Sequence, residues 1–90
     1  MDAAAQLRVS GLVQGVGFRY YVIRKANALG IKGWVRNLYN GEVEIVAEGD
    51  RLVLESFISE VRSGPRAAWV KEVDIHWKDF QGAFSGFEIR

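Results

Sequence analysis

The segment VQGVGFRYY (Val13–Tyr21) contains residue types that together can bind a phosphoryl group. Gly15 and Gly17 allow unusual backbone angles and leave space for an anion to approach the main chain. Arg19, two residues later, can present a planar pair of N–H donors to two phosphoryl oxygens. A helix beginning here would add the partial positive charge of its N-terminus. The segment therefore predicts a site for a terminal phosphate, with a turn that only reverses the chain as the alternative.

Few groups in the sequence can perform chemistry on a bound phosphate. There is no cysteine, hence no thiolate nucleophile, and the segment lacks the Gly-Lys-Ser/Thr of nucleotide-binding loops. No acidic side chain lies in or beside it, so a carboxylate-bound metal is not indicated. His76, the single histidine, alternates with apolar neighbours in a strand-like run, so we expect it to face solvent with Asp74 and Lys78. Water is left as the attacking group.

Attack by water without a strong acid or base suits a phosphate whose leaving group departs easily. An acyl phosphate is such a substrate, because it expels a stable carboxylate rather than an alkoxide. Catalysis then reduces to orienting the water and stabilising charge on the phosphoryl oxygens. A neutral amide is enough to orient water, and Asn37, at the end of a predicted strand, is the candidate. Its alternative role is to cap the hairpin that follows.

Hydrophobic periodicity predicts five strands and two helices around these residues. Asn40-Gly41 predicts a hairpin with positive φ at both positions. Asp50 is expected to cap the second helix, and Gly30 and Gly64 to end the two helices. In chain order, the expected elements are strand Gln6–Val13, helix Tyr20–Gly30, strands Ile31–Leu38 and Glu42–Gly49, helix Asp50–Gly64, and strands Val70–Phe80 and Gly86–Arg90.

This order predicts a ferredoxin-like α/β (α+β) sandwich, β-α-β-β-α-β, with an antiparallel sheet, two helices on one face and a short C-terminal strand. We expect a single domain over residues 1–90. Phe18 and Trp34 are expected to pack within it rather than contact a ligand.

Composition and charge narrow the class of protein. An apolar fraction of 49% is enough for one modest core, and no apolar run is long enough to span a membrane. The net charge of +1 hides an asymmetry, because residues 1–40 carry six basic side chains and one acidic one. A positive half could steer a small anion to the loop. We expect a cytoplasmic monomer that binds neither membrane nor nucleic acid.

Two segments carry a resemblance to a known family. VSGLVQGVGFR (Val9–Arg19) and GWVRNLYNGEVEI (Gly33–Ile45) resemble the signature segments of the acylphosphatases, and the likeness covers essentially the whole chain. It implies a hydrolase of small acyl phosphates that uses no metal or organic cofactor, with inorganic phosphate as product and inhibitor. It also implies that the Arg19 side chain grips the phosphoryl oxygens and that Asn37 holds the attacking water. The residues implied to bind the phosphoryl group, through main-chain amides, are Gln14, Gly15, Val16, Gly17, Phe18 and Arg19.

Three alternatives remain at this level. RNA-recognition motifs share the element order, but the aromatic run KGWVRNLY (Lys32–Tyr39) falls on the second strand rather than the third. A non-catalytic anion-binding domain would use the same loop. Acylphosphatase-like domains also form part of larger hydrogenase-maturation carbamoyltransferases. The acceptor of the water's proton is open, and the substrate's own phosphoryl oxygen is our hypothesis.

Overall fold

Five strands form one sheet, and two helices that pack on each other cover one of its faces. The computed structural model describes residues 1–90. The strands lie side by side in the order β4-β1-β3-β2-β5, which confirms the predicted ferredoxin-like arrangement. In chain order the elements are β1 (Asp2–Leu12), α1 (Phe18–Leu29), β2 (Lys32–Asn37), β3 (Val43–Asp50), α2 (Arg51–Ser63), β4 (Trp69–Lys78) and β5 (Phe87–Ile89).

Strands β1 to β4 are joined in antiparallel pairs, as predicted, and the short C-terminal strand, whose direction the sequence did not predict, makes the sheet mixed. β5 runs parallel to β2, with Gly33 opposite Phe87 and Val35 opposite Ile89, whereas the other neighbouring strands are antiparallel. β4 and β5 lie at opposite edges of the sheet. Residues 79–86, which we call the crossing segment, therefore pass over the sheet face that the helices leave open.

Strand β1 begins four residues earlier than the sequence pattern predicted, at Asp2 rather than Gln6. Ala4 and Ala5 point to opposite faces, yet both are buried. Ala5 belongs to the core under the helices, while Ala4 lines a cavity shared with the crossing segment. Because both faces are covered at this end, the first residues of the strand show no alternation of apolar and polar side chains, which begins only at Gln6.

The hydrophobic core lies between the sheet and the helices. Strands β1 and β3 contribute alternate residues that are fully buried, and α2 contributes four buried residues at helical spacing, Leu54, Phe57, Ile58 and Val61. The largest fully buried side chains of the core, including one from α1, are Phe18, Phe57, Leu7, Ile45 and Leu54. Burial of a side chain of this size contributes about 1.5–3 kcal/mol, so the core dominates the stability of the fold.

Three of the four predicted helix boundaries are confirmed by their caps, whereas α1 begins at Phe18, two residues before the predicted Tyr20. The Asp50 carboxylate accepts hydrogen bonds from the N–H groups of Leu52 and Val53, at 3.2 and 3.3 Å, at the start of α2. Gly30 ends α1 in the left-handed conformation, and Gly64 ends α2. Neither helix has the length and apolar character needed to cross a membrane.

Candidate active site

The sheet brings the two sequence motifs together at the carboxyl ends of strands β1 and β2. β1 and β2 are both antiparallel to β3, which lies between them, so they run parallel to each other. Val43, at the start of β3, is opposite Val9 on one side and Asn37 on the other. Two strand spacings separate Val9 from Asn37, about 10 Å. The loop that leaves β1 therefore lies beside the end of β2.

The loop between β1 and α1 is fixed at both ends and open in the middle. Val13 and Phe18 are 1% exposed, so they anchor it in the core, as predicted for Phe18. Gly15 has φ 74° and Gly17 has φ 76°, both in the left-handed region that favours glycine. Gly17 caps α1 without any side-chain hydrogen bond.

The main-chain amides of this loop are free. None of the N–H groups of residues 15–20 donates a hydrogen bond to another group of the protein. Unpaired amides at a glycine turn before a helix form a concave donor set that suits an anion. No acidic residue lies in the first turn of α1 to compete for them. The predicted phosphate-binding segment, Gln14 to Arg19, contains most of this set.

Arg19 lies in the first turn of α1 and is half-buried. Its guanidinium forms no ion pair, whereas those of Arg8, Arg36, Arg51 and Arg90 each have an acidic partner. A guanidinium held at the positive end of a helix, with no carboxylate beside it, retains its full charge for an external anion. Arg19 is thus placed where its guanidinium can reach an anion held by the loop amides.

Asn37 is the last residue of β2 and lies on the helix-covered face, two positions from the buried Val35. Its side-chain Oδ1 is buried, and it is the one such buried polar atom in the chain without a hydrogen-bond partner. Leaving a buried acceptor unpaired costs about 1–3 kcal/mol, so such atoms are rare and call for an explanation. The Asn37 amide oxygen, at this end of the sheet, can accept a hydrogen bond from a water molecule.

Gln14 has a contact that the sequence did not predict. Its side-chain Nε2 donates hydrogen bonds to the carbonyl oxygens of Leu38 and Glu42, both at 2.8 Å. The side chain is thereby committed to the β2–β3 loop, and only the main chain of Gln14 is left to bind a phosphate. No local pattern reveals this contact, since the partners are 24 and 28 residues away.

The β2–β3 connection confirms the hairpin but corrects one detail. Gly41 has φ 92°, whereas no residue other than glycine has positive φ, so the expectation for Asn40 was wrong. The loop spans five residues, 38–42, rather than the two of a tight turn. Asn40 instead uses its side chain, whose Oδ1 accepts from the N–H of Glu42 at 3.0 Å.

Other residues singled out from the sequence lie away from the candidate site. His76 is exposed on the open face, 3.5 Å from Asp74, which confirms its predicted solvent-facing position. Trp34 is half-buried on the same face, with the guanidinium groups of Arg36 and Arg90 each 5.1 Å from its ring, so it packs as predicted. No group of three or more His, Asp or Glu side chains is arranged to hold a metal ion.

Comparison with known proteins decides the family. Residues 5–89 match the sequence model of the acylphosphatase family. The chain belongs to the acylphosphatases. It is 49% identical to an acylphosphatase of Salinibacter ruber over 92% of this chain and 87% of that one. The crystal structure of acylphosphatase from Bacillus subtilis superposes with a TM-score of 0.95, at 35% identity and 98% coverage of both chains.

The same fold also occurs as part of a larger protein. A structure of full-length HypF in its phosphate- and nucleotide-bound form matches all of this chain with a TM-score of 0.87 and 28% identity. The match covers 12% of that protein. The acylphosphatases are more similar and are covered almost end to end, so they, rather than a larger protein of this kind, identify the enzyme class of the chain.

Proposed function

We propose that this chain hydrolyses the carboxyl–phosphate bond of small acyl phosphates, with the segment Gln14 to Arg19 as the phosphoryl site and Asn37 as the residue that holds the attacking water. The observation that carries the proposal is the run of unpaired amides at residues 15–20 beside an arginine with no acidic partner. Both features favour a small dianion over a neutral or cationic ligand.

The proposed reaction needs no titrating side chain. The water oxygen bonds to phosphorus as the bond to the acyl oxygen breaks, and the bonding pair leaves with the carboxylate. One proton of the water passes to a phosphoryl oxygen of the substrate, so the products are a carboxylate and dihydrogen phosphate. The loop amides and Arg19 stabilise charge on the phosphoryl oxygens while Asn37 keeps the water in line.

The surroundings of the site support this choice of substrate. The one acidic residue of the neighbouring 38–42 loop, Glu42, directs its carboxylate to Asn40 and, at 3.9 Å, to Arg8. His76 lies on the opposite face of the sheet. With no acid placed to protonate an alkoxide, an acyl phosphate is a better substrate than an ordinary phosphate ester.

Hydrolysis of benzoyl phosphate in the presence of EDTA, followed by ultraviolet absorbance, tests the proposal. The wild type should turn over without added metal. We expect Arg19→Ala and Asn37→Ala each to lower kcat/KM by about 10²–10³-fold, the usual effect of removing one preorganised group. Arg24→Ala and Asn27→Ala change the same residue types at exposed positions of α1 and serve as controls.

Each outcome separates the alternatives. No turnover by folded wild type, with phosphate still bound, would leave a non-catalytic anion-binding domain. Full activity of Asn37→Ala would keep the reaction but place the water elsewhere. An equal loss in the α1 controls would show that the effect of Arg19 is not specific to its position.

We propose further that residues 1–90 act as one domain, as a monomer and in the cytoplasm. All the candidate site residues come from one chain, so no second copy is needed to complete the site. Inorganic phosphate, the expected product, should act as a competitive inhibitor because it fits the same amides and Arg19. Light scattering during size-exclusion chromatography would measure the oligomeric state directly.

A further inference from the structure

Gln14 connects the two halves of the site through one side chain. It precedes Gly15, the first of the free amides, and its acceptor Leu38 follows Asn37 directly. The amide must present its nitrogen here, because both partners are carbonyl oxygens, and its two hydrogens supply one bond to each. We propose that the Gln14 side chain is a positioning residue for the reaction, which holds Asn37 in register with the phosphate loop; this inference rests on the proposed function.

The hairpin loop is already closed by its own hydrogen bonds. The Leu38 N–H donates to the Glu42 carbonyl at 2.8 Å, and the Gly41 N–H donates to the Leu38 carbonyl at 3.2 Å. The Asn40 side chain adds two bonds to Glu42, each of 3.0 Å. Gln14 therefore docks a preformed loop rather than shaping it, and it uses the second lone pair of each closing carbonyl.

No other hydrogen bond joins the two loops. The ladder between β1 and β3 ends at Val9 and Val43, and that between β2 and β3 ends at Asn37 and Val43. Beyond these pairs, the two Gln14 bonds are the hydrogen bonds that join the 13–17 loop to the 38–42 loop. The 2.8 Å bonds are part-buried, where competition from water is weak. Together with the β1–β3–β2 pairing, this contact therefore constrains the separation between the free amides and the Asn37 side chain.

The consequence should appear in turnover rather than in phosphate affinity. In-line attack is sensitive to misplacement, and a shift of about 1 Å can cost about 100-fold in rate. The free amides and Arg19 belong to residues 15–20, which are anchored in the core through Val13 and Phe18, independently of the Gln14 side chain. Loss of the two Gln14 hydrogen bonds therefore moves the water relative to a phosphoryl site that remains largely intact.

Gln14→Leu tests the proposal by removing both donors at similar volume. We expect kcat for benzoyl phosphate to fall by about tenfold or more, while the inhibition constant of inorganic phosphate changes by less than about threefold. Gln6→Leu is the matched control, since the Gln6 Nε2 also donates across the sheet, to Glu44 at 2.6 Å, but on the open face. It should lower the urea midpoint and leave kcat within about twofold of the wild type.

Gln14→Glu provides a second test that does not depend on the first variant folding. Its carboxylate repels the two carbonyls, whereas its protonated form can donate one hydrogen bond. The ratio of its kcat to that of the wild type should therefore rise as the pH falls from 7 to 5, at unchanged circular dichroism. A purely structural role for Gln14 would leave this ratio flat.

The outcomes are distinct. A folded Gln14→Leu with wild-type kcat, or a parallel loss of kcat and phosphate affinity, overturns the positioning role while wild-type turnover preserves the proposed function. Absence of turnover by the wild type removes the proposed function, and the positioning role falls with it. A selective loss of kcat together with the acid rescue of Gln14→Glu supports it.

Discussion

Left-handed backbone angles at Gly15 and Gly17 set the direction of the free amides. A Cβ at either position would meet no atom within 4 Å, so space is not the constraint. The constraint is conformational, because φ near 75° crowds a Cβ against the following carbonyl. The proposed phosphate-binding loop thus depends on two glycines for the shape of its main chain, and would depend on Arg19 for charge.

Replacing Gly17 by alanine should therefore weaken both the fold and the site. We expect a loss of about 1–2 kcal/mol in the free energy of unfolding, the cost of a left-handed residue with a side chain, and weaker inhibition by phosphate. Urea unfolding and inhibition kinetics measure the two effects. Gly86→Ala is the control, since Gly86 also has no neighbour within 4 Å but lacks a positive φ. Equal effects of the two substitutions would contradict the conformational explanation.

At single residues, the sequence was informative where chemistry is tied to residue type. Glycines before a helix, an arginine and a strand-end asparagine could be recognised without coordinates. The Gln14 contact could not, because its partners are carbonyl oxygens, which every residue possesses. The error at Asn40 has a similar origin, since a five-residue loop uses its side chain where a two-residue turn would use its backbone.

At the level of elements, the crossing segment (residues 79–86) is the part that periodicity did not reveal. It has no regular structure of its own, and it is attached by Glu48, which lies on the open face and is 4% exposed. The Glu48 carboxylate accepts hydrogen bonds from the N–H groups of Gln81 and Ala83, both at 3.0 Å. Strands and helices follow from local hydrophobic spacing, whereas this attachment joins residues 33 and 35 positions apart.

Glu48→Ala should detach the crossing segment from the sheet. Two backbone donors would lose a charged acceptor in a partly buried setting, and we expect a loss of about 2–3 kcal/mol in stability by urea unfolding. Glu55→Ala is the control, because Glu55 forms only an exposed pair with Arg51, at 3.0 Å, and should change stability by less than about 0.5 kcal/mol. A neutral Glu48→Ala would mean that β5 holds the segment in place without this carboxylate.

Across the whole molecule, three groups with shifted pKa values bound the pH range of stability. Burial raises the pKa of Tyr21, with the Glu60 carboxylate adding to the shift. The protein N-terminus and the amides of α2 lower the pKa of Asp50. Burial would raise the pKa of Glu44, but hydrogen bonds from Gln6 and Arg36 outweigh it and lower the pKa. The two carboxyl groups, Asp50 and Glu44, limit stability at low pH, and Tyr21 limits it at high pH.

The direction in which stability changes with acid pH follows from which state, folded or unfolded, binds the proton first. Above pH 4.5, the ordinary pKa of a glutamate, Glu44 is ionised in both folded and unfolded chains, and its contribution to stability is complete. As the pH falls further, the unfolded chain binds the proton first, so the contribution is lost progressively through the lower pKa of the folded state. The Tyr21 contribution behaves in the opposite sense, being present below pH 10 and lost as the pH rises above it.

Glu44→Gln should therefore reduce the dependence of stability on acid pH. Urea unfolding at neutral pH should show a loss of about 1–3 kcal/mol, because Arg36, 2.7 Å from the carboxylate, loses its charged partner. Below pH 4.5 the gap between variant and wild type should narrow, since the wild type is losing the same interaction. Glu88→Gln, which removes an exposed carboxylate paired with Arg90, should follow the wild-type pH curve. If both variants kept the wild-type acid dependence, the loss of stability at low pH would be assigned to Asp50, whose carboxylate pairs with the N-terminal amino group.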